Sequence, residues 1–254
     1  MVKKALISVL FALFVLPFGY LLLLSFAGTW RYPTVLPTEW TWQHWTQLAG
    51  SGNWANSAML SLLLASLVAF LSTVTGFLTA KVLSAHSKRH WWTILAYLPF
   101  AFSPVIYAHC LKFFFHYFAL SGAFQGVLIA QFFLCYPFAF LFFIHHFDPA
   151  MQAMEDLTYT LGGKPKDAFW KVLIPMSKLA LLICFFQTFL ISWFEYGLSS
   201  VIGLGQVRTL TIAVYQYIGE SNQFVAALAS CLIALPPLLL LWFNQRFVFR
   251  QSTV

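Results

Sequence analysis

The chain has 254 residues, of which 61% are hydrophobic and only 8% are charged. A soluble domain is about 45–50% apolar and about 25% charged, so this composition excludes an ordinary soluble protein and indicates one integral membrane unit. The net charge of +7 comes from basic residues spread over short loops. It therefore reflects membrane topology better than a nucleic-acid partner, and no nucleic acid is predicted.

Six apolar stretches are long enough to cross a bilayer, because a hydrocarbon core of about 30 Å needs about 20 helical residues. The predicted spans are 5–27, 55–80, 92–115, 123–144, 179–198 and 225–243. The alternative for the first span is a cleaved signal peptide, since Ser25-Phe26-Ala27 resembles a small-x-small cleavage site. The expected fold is an all-α integral membrane protein with one transmembrane domain over residues 1–254.

The segment between the first two spans, 28–54, is rich in tryptophan. Its tryptophans are Trp30, Trp40, Trp42, Trp45 and Trp54. Tryptophan favours the water–lipid interface, so we expect a short amphipathic element along the membrane surface. Span two is rich in serine, threonine, alanine and glycine, and small residues allow close helix packing in lipid, so this span is predicted to face protein.

The third span contains Pro99 and Pro104, which interrupt the backbone hydrogen-bond ladder. A membrane tolerates such gaps where protein or a cavity covers them. Near the end of this span, His109, Lys112 and His116 recur on one helical face. Two histidines and a lysine do not complete a metal site, so no metal is predicted, and interfacial snorkelling is the simpler account.

Lysine and arginine are distributed unequally between the two predicted sides of the membrane. With the N-terminus inside, eleven of the fourteen lie on the cytoplasmic side: Lys3, Lys4, Lys81, Lys88, Arg89, Lys164, Lys166, Lys171, Lys178, Arg246 and Arg250. The remaining three are Arg31, Lys112 and Arg208. Cytoplasmic loops carry the excess of basic residues, so both termini are predicted to be cytoplasmic.

The longest polar interruption is Glu155–Pro175, which reads EDLTYTLGGKPKDAFWKVLIP and lies inside a predicted cytoplasmic loop, 148–176. Asp148 and Pro149 predict a helix start, because aspartate caps helices and proline fits the first turn. An apolar stripe at helical spacing follows, formed by Met151, Met154, Leu157 and Leu161.

Gly162 and Gly163 are predicted to end this first helix, because glycine adopts the left-handed conformation that closes helices. Pro165 then suits the first turn of a second helix with Asp167 near its positive end. Phe169 lies at the middle of that helix, and Pro175 is expected to end it before span five. The alternative is a solvated connector that packs under the bundle.

This helix–turn–helix loop resembles the EAA motif of binding-protein-dependent ATP-binding-cassette (ABC) importer permeases, in which an acidic residue and two small ones precede a glycine, a phenylalanine and a proline. With Asp156 as the acidic position, Gly162 and Gly163 fall on the motif glycine and the small residue after it. Phe169 and Pro175 fall on the aromatic and the closing proline.

The match has departures. Asp156 replaces the usual glutamate unless the adjacent Glu155 serves instead, and Leu157 and Thr158 replace alanines. A second stretch, Phe194-Glu195-Tyr196-Gly197 followed by Thr209–Tyr215, resembles the corresponding stretches in permeases for thiamine, molybdate, sulfate and ferric iron. It does not fix the substrate.

The resemblance implies a type I importer permease of a bacterial inner membrane that pairs with a second permease subunit, identical or not. Its implied partners are cytoplasmic ATP-binding subunits, which grip the loop, and an extracytoplasmic substrate-binding protein. ATP and magnesium would bind to the partner ATPase and no cofactor to this chain. The chain carries no phosphate-binding loop of the form GxxxxGK[ST], so it is not expected to hydrolyse ATP by that route.

Glu195 is the one carboxylate inside or at the end of a span, where ionisable groups are costly and usually face a cavity or a partner. It lines the substrate path or a gate, with Gly197 as a hinge, or it pairs with Arg208 or a backbone donor. The competing function is an ion-coupled secondary transporter or channel, although Glu195 is nearly alone as a coupling charge. A membrane enzyme acting through histidines is a weaker alternative.

Overall fold

The computed structural model describes residues 2–30, 34, 36–50, 52–220 and 223–247. Its helices are α1 (Val2–Ser25), α2 (Gln43–Gly50), α3 (Gly52–Ser84), α4 (Arg89–Tyr97), α5 (Pro104–Tyr117), α6 (Phe124–His146), α7 (Pro149–Thr160), α8 (Pro165–Asp167), α9 (Ile174–Trp193), α10 (Gly197–Gly203), α11 (Leu210–Gly219) and α12 (Gln223–Phe247). A 3₁₀ turn, Leu98–Ala101, follows α4, and a π-helical segment, Ala168–Leu173, joins α8 to α9.

Four helical stretches among the described residues are long and apolar enough to cross a membrane. They are Trp54–Ser84, Phe124–His146, Pro165–Trp193 and Gln223–Leu240. A bent pair, Arg89–Ala101 with Pro104–Tyr117, passes the same test and forms a broken span or a re-entrant loop. The helical, multi-pass character agrees with the sequence, while the six-span count and the orientation stay predictions. Arg31 and Arg250, which entered the orientation argument, lie outside the described residues.

The third predicted span is broken rather than straight. Its two halves meet at an angle of 99°. The break lies just before Pro104, where Ser103 is extended with φ −61° and ψ 141°. Proline disfavours the helical conformation of the residue before it, which explains why α4 does not run directly into α5.

The described residues form two compact units, of which the first comprises Met1–Ser61 and Arg208–Val254. Here α12 packs along α1 and α11. The segment predicted to lie at the interface contains a short antiparallel strand pair, β1 (Ala27–Thr29) with β2 (Glu39–Trp40), followed by α2. The two strands are a small departure from the all-α prediction.

The second unit is Leu62–Val207. In it α6 packs against α9 and α10, and α10 also packs against α5. A Cβ on Gly76 would lie 2.7 Å from the Cβ of Ala139, so α3 and α6 touch backbone to backbone at this small residue. Phe77 and Phe143 pack edge to face close by, with ring centroids 5.2 Å apart. This core carries α7 and the π-helical segment at its edge.

Candidate coupling loop and buried polar cluster

The first helix of the loop begins and ends as its sequence predicts. Asp148 Oδ1 accepts a hydrogen bond from the backbone N–H of Met151 at 2.8 Å, and Pro149 occupies the first turn of α7. At the other end Gly162 is left-handed, with φ +81°. The N–H groups of Gly162 and Gly163 donate to the carbonyls of Tyr159 and Thr158 at 3.0 and 2.9 Å. This pair of bonds is a Schellman motif, which needs a residue without a Cβ penalty at Gly162.

Gly163 is required for a different reason. A Cβ at this position would lie 2.7 Å from Thr158 Cγ2 and 2.8 Å from the Thr158 carbonyl oxygen. That oxygen is the acceptor of the Gly163 N–H, so a side chain at Gly163 would push apart the bond that closes the turn. The two consecutive glycines therefore have separate physical roles.

The second helix does not end at Pro175, and this prediction is wrong. The chain is helical from Pro165 to Trp193 without interruption. The N–H of Ile174 donates to the carbonyl of Phe169, five residues earlier, and Pro175 lies in the first turn of α9. The wider π turn accommodates a proline, which has no N–H and would clash in a regular helix interior.

The loop is fastened to the end of α3 through Lys81. Its Nζ lies 3.0 Å from Glu155 Oε1 and 5.4 Å from the ring centroid of Phe169. Tyr159 donates its hydroxyl proton to Glu155 Oε1 at 2.7 Å, and this bond raises the pKa of the phenol. Lys81 of α3 thus contacts both halves of the loop, through Glu155 and Phe169, whereas Asp156, the acidic position indicated by motif spacing, is exposed.

Beyond Met151, the apolar stripe of α7 does not pack on the protein. Met151 is buried, but Met154, Leu157 and Leu161 are exposed, with Leu161 at 80%. Trp170 of the second helix is also exposed, at 68%. Exposed apolar patches of this kind are typical of surfaces that contact another protein or a membrane.

Glu195 lies in a second, buried cluster. Its carboxylate accepts hydrogen bonds from the N–H groups of Leu198 at 2.6 Å and Ser199 at 3.0 Å, and from the Ser199 hydroxyl at 2.8 Å. Gln131 Nε2 lies 3.4 Å from Glu195 Oε2. The backbone donors anticipated as one alternative are therefore present, and the Glu195 carboxylate accepts from two N–H groups of the first turn of α10.

Three members of this cluster, Gln131, Ser192 and Ser199, were missed by sequence reasoning. Gln131 is fully buried in α6, and its Oε1 accepts a hydrogen bond from Ser192 of α9 at 2.5 Å. Its side chain also donates to Ser199 Oγ at 2.8 Å. A glutamine inside an otherwise apolar span was the available signal, because polar groups in a membrane need partners. The cluster ties α6 and α9 to α10.

Gly197 lies beside this cluster at a close crossing of α10 and α5. An added Cβ would lie 2.7 Å from Val105 Cγ2 and 3.1 Å from the Val105 backbone nitrogen. His109 and His116 are exposed on α5, as is Lys112. No group of three or more His, Cys, Asp and Glu residues within the described ranges is placed to hold a metal ion.

Comparison with protein-family models gives no match. The sulfate transport system permease protein CysW of Synechocystis is 26% identical over 214 residues, covering 76% of this chain and 78% of that protein. Sulfate permease 2 of the Chlamydomonas reinhardtii chloroplast is 27% identical, covering 74% and 55%. The inner membrane ABC transporter permease protein YcjP of Escherichia coli is 22% identical, covering 91% and 87%.

The fold agrees with these relatives. A chain in the crystal structure of a bacterial ABC transporter involved in the import of the acidic polysaccharide alginate matches with a TM-score of 0.73 and 15% identity. The match covers 97% of this chain and 95% of that chain. The chain is thus similar to ABC transporter permeases, and the resemblance predicted from its sequence is confirmed at the level of that family.

Proposed function

We propose that this chain is a permease subunit of an ABC importer, which forms the substrate path across the membrane and couples it to a separate ATPase through residues 155–175. The observation that carries the proposal is the loop itself. It presents the exposed apolar residues Leu157, Leu161 and Trp170 on a frame that Lys81 and Glu155 hold against a predicted span. Nothing in the fold or the relatives favours the ion-coupled alternative.

The coupling mechanism follows from how the loop is connected. A cytoplasmic ATPase that binds the exposed apolar residues of the loop would pull on α7 and on the continuous helix Pro165–Trp193. Because Glu155 and Phe169 both contact Lys81, a displacement of the loop would also move the end of α3. Two global packings of the bundle, inward-facing and outward-facing, would then follow the nucleotide state of the ATPase.

The proposed assembly contains two ATP-binding subunits with ATP and magnesium, a second permease subunit and an extracytoplasmic substrate-binding protein, in the inner membrane of a bacterium with both termini inside. The gate role expected of Glu195 and Gly197 is proposed to be indirect. Glu195 links α10 to Gln131 of α6, Gly197 allows α5 to approach α10 closely, and α10 would move with the substrate path.

The test is co-purification of the ATPase from native membranes in mild detergent, comparing wild type with Gly162→Asp and Gly205→Asp. Both glycines are exposed, both have positive φ, +81° and +74°, and neither has an atom within 4 Å of an added Cβ. The two variants therefore impose the same backbone strain and the same charge. Only Gly162 lies at the tip of the proposed docking loop.

We expect the ATPase to be retained by wild type and Gly205→Asp and lost from Gly162→Asp, with equal amounts of all three chains in the membrane. Equal retention by both variants would remove the docking role of the loop. If no ATPase accompanies any form, and a proton gradient alone drives uptake in vesicles, the ion-coupled alternative takes its place.

A further inference from the structure

The outer face of α4 carries an apolar stripe that ends in a lysine. Trp91, Leu95 and Leu98 are exposed along this face. Lys88, the residue just before the first turn of α4, is also exposed and lines the same shallow groove, which has a volume of about 340 Å³. The groove is therefore apolar along its length and positively charged at one end.

The inner face of α4 shows how the groove is placed relative to a membrane. The guanidinium of Arg89 donates to the carbonyl of Ile144 at 2.5 Å, two residues before the end of the candidate span Phe124–His146. Further along α4, Ala96 lines a cavity together with Tyr136 of the same span. The helix therefore runs antiparallel to α6, from the end of that span towards its middle.

The length of the groove matches one leaflet of a bilayer. From Lys88 to Leu98 it follows the helix for ten residues, or about 15 Å at the helical rise of 1.5 Å per residue. The hydrocarbon core is about 30 Å thick, so each leaflet contributes about 15 Å. The lysine thus lies at the level of the headgroups, and the apolar stripe lies at the level of the acyl chains.

The charge at the end of the groove is not balanced by the chain itself. Between Glu39 and Asp148 the sequence contains no acidic residue, and Lys88 takes part in no ion pair among the described residues. The first turn of α4 has no acidic side chain, so the positive end of the helix dipole adds to the charge of the lysine. An anion from outside the chain would therefore be stabilised at this end of the groove.

We propose that the groove binds an anionic phospholipid, with Lys88 paired to its phosphate group and one acyl chain lying along Trp91, Leu95 and Leu98. Basic residues next to a membrane helix attract anionic lipids, and tryptophan favours the headgroup level. An acidic protein segment would match Lys88 but not the apolar stripe, and an apolar helix would match the stripe but not the lysine. The site requires only that α6 crosses the membrane, and it is independent of coupling to an ATPase.

The experiment uses the full chain, purified with the subunits that accompany it and reconstituted in phosphatidylcholine nanodiscs. Two probes are compared at the same low mole fraction, a phosphatidylglycerol and a phosphatidylcholine, each with a diazirine at the middle of one acyl chain. After irradiation, mass spectrometry measures lipid adducts on α4, divided by adducts on the exposed apolar residues 235–239 of α12. This ratio removes the contribution of the general lipid shell.

We expect the ratio to be about fivefold higher for phosphatidylglycerol, which corresponds to about 1 kcal/mol for one basic residue at an anionic lipid. The adducts should map to Leu95 and Leu98. Lys88→Gln should make the two probes equal, and Lys88→Glu should reverse the preference. Lys112→Gln is the matched control, because it removes one positive charge from an exposed residue of α5, and it should leave the ratio unchanged.

Equal ratios for the two probes on wild type would overturn the proposal, since α4 would then contact only the general lipid shell. A preference for phosphatidylglycerol that survives Lys88→Gln would refute the role of the lysine. Adducts that join α4 to another protein chain, in place of lipid adducts, would show that a protein covers the groove.

Discussion

The ion pair between Lys81 and Glu155 is expected to hold the proposed coupling loop against the end of α3. Glu155→Gln is the cleanest perturbation, because glutamine keeps the size of the side chain and an acceptor for Tyr159 and removes only the charge. The two side chains are 26% and 18% exposed, and their nearest atoms lie 3.0 Å apart. The pair is therefore neither a surface pair nor a fully buried one.

The magnitude follows from that intermediate exposure. Surface pairs contribute about 0.2–1 kcal/mol, and removing one partner of a buried pair costs about 3–5 kcal/mol. We expect Glu155→Gln to lower the free energy of local opening of the loop by about 1–3 kcal/mol, with little effect on global unfolding of the bundle. Since 1.4 kcal/mol is a factor of ten in an equilibrium constant, the open state becomes about 5- to 150-fold more populated, and hydrogen exchange speeds up by the same factor.

The assay is hydrogen exchange of the amides that close α7. These are the N–H groups of Leu161, Gly162 and Gly163, which donate to the carbonyls of Leu157, Tyr159 and Thr158. Asp156→Asn is the matched control, because it also removes one negative charge, but from an exposed residue next to Glu155. A surface change of this kind is expected to stay within about 0.5 kcal/mol.

The Lys81→Met variant completes a double-mutant cycle with Glu155→Gln. If the ion pair carries the effect, the double variant should open little faster than either single variant, because contacting residues are not additive. Additive effects of the Lys81 and Glu155 substitutions on loop opening would refute the role of the ion pair. Equal effects of Glu155→Gln and Asp156→Asn would also refute it, and Asp156 would remain the candidate for the acidic position of the motif.

Two further substitutions test the turn and the buried cluster. Gly163→Ala forces a Cβ against the Thr158 carbonyl and is expected to lower the free energy of unfolding by about 2–4 kcal/mol. The midpoint of thermal unfolding should then fall by about 4 °C or more. Gly219→Ala is the control, because open space surrounds that position, and it should leave the midpoint unchanged. Equal midpoints would show that the turn adapts. Glu195→Gln places an amide donor among N–H donors and is expected to cost about 2–3 kcal/mol in unfolding free energy, unlike the exposed Glu220→Gln. Lost transport at an unchanged midpoint would instead assign the Glu195 carboxylate to the substrate itself.

The local parts of the loop could be predicted from sequence because their causes are local. Asp148 bonds an N–H three residues ahead, and Gly162 closes a turn with carbonyls only a few residues behind it. Caps of this kind are determined by residue type and spacing alone. The expectation for Pro175 failed because a proline can follow a π turn without ending the helix, and periodicity does not distinguish the two outcomes.

Sequence by itself determined the membrane class, the apolar stretches, the helix–turn–helix loop and the permease resemblance, because each depends on composition or short-range spacing. Only the tertiary structure decided that Glu155 rather than Asp156 meets Lys81, and that Gln131 and Glu195 share one cluster across 64 residues. It also brought Trp45 together with Leu22 and Leu235 in the lining of one apolar groove. These pairings depend on which helix faces pack together, and that is a property of the whole bundle rather than of any segment.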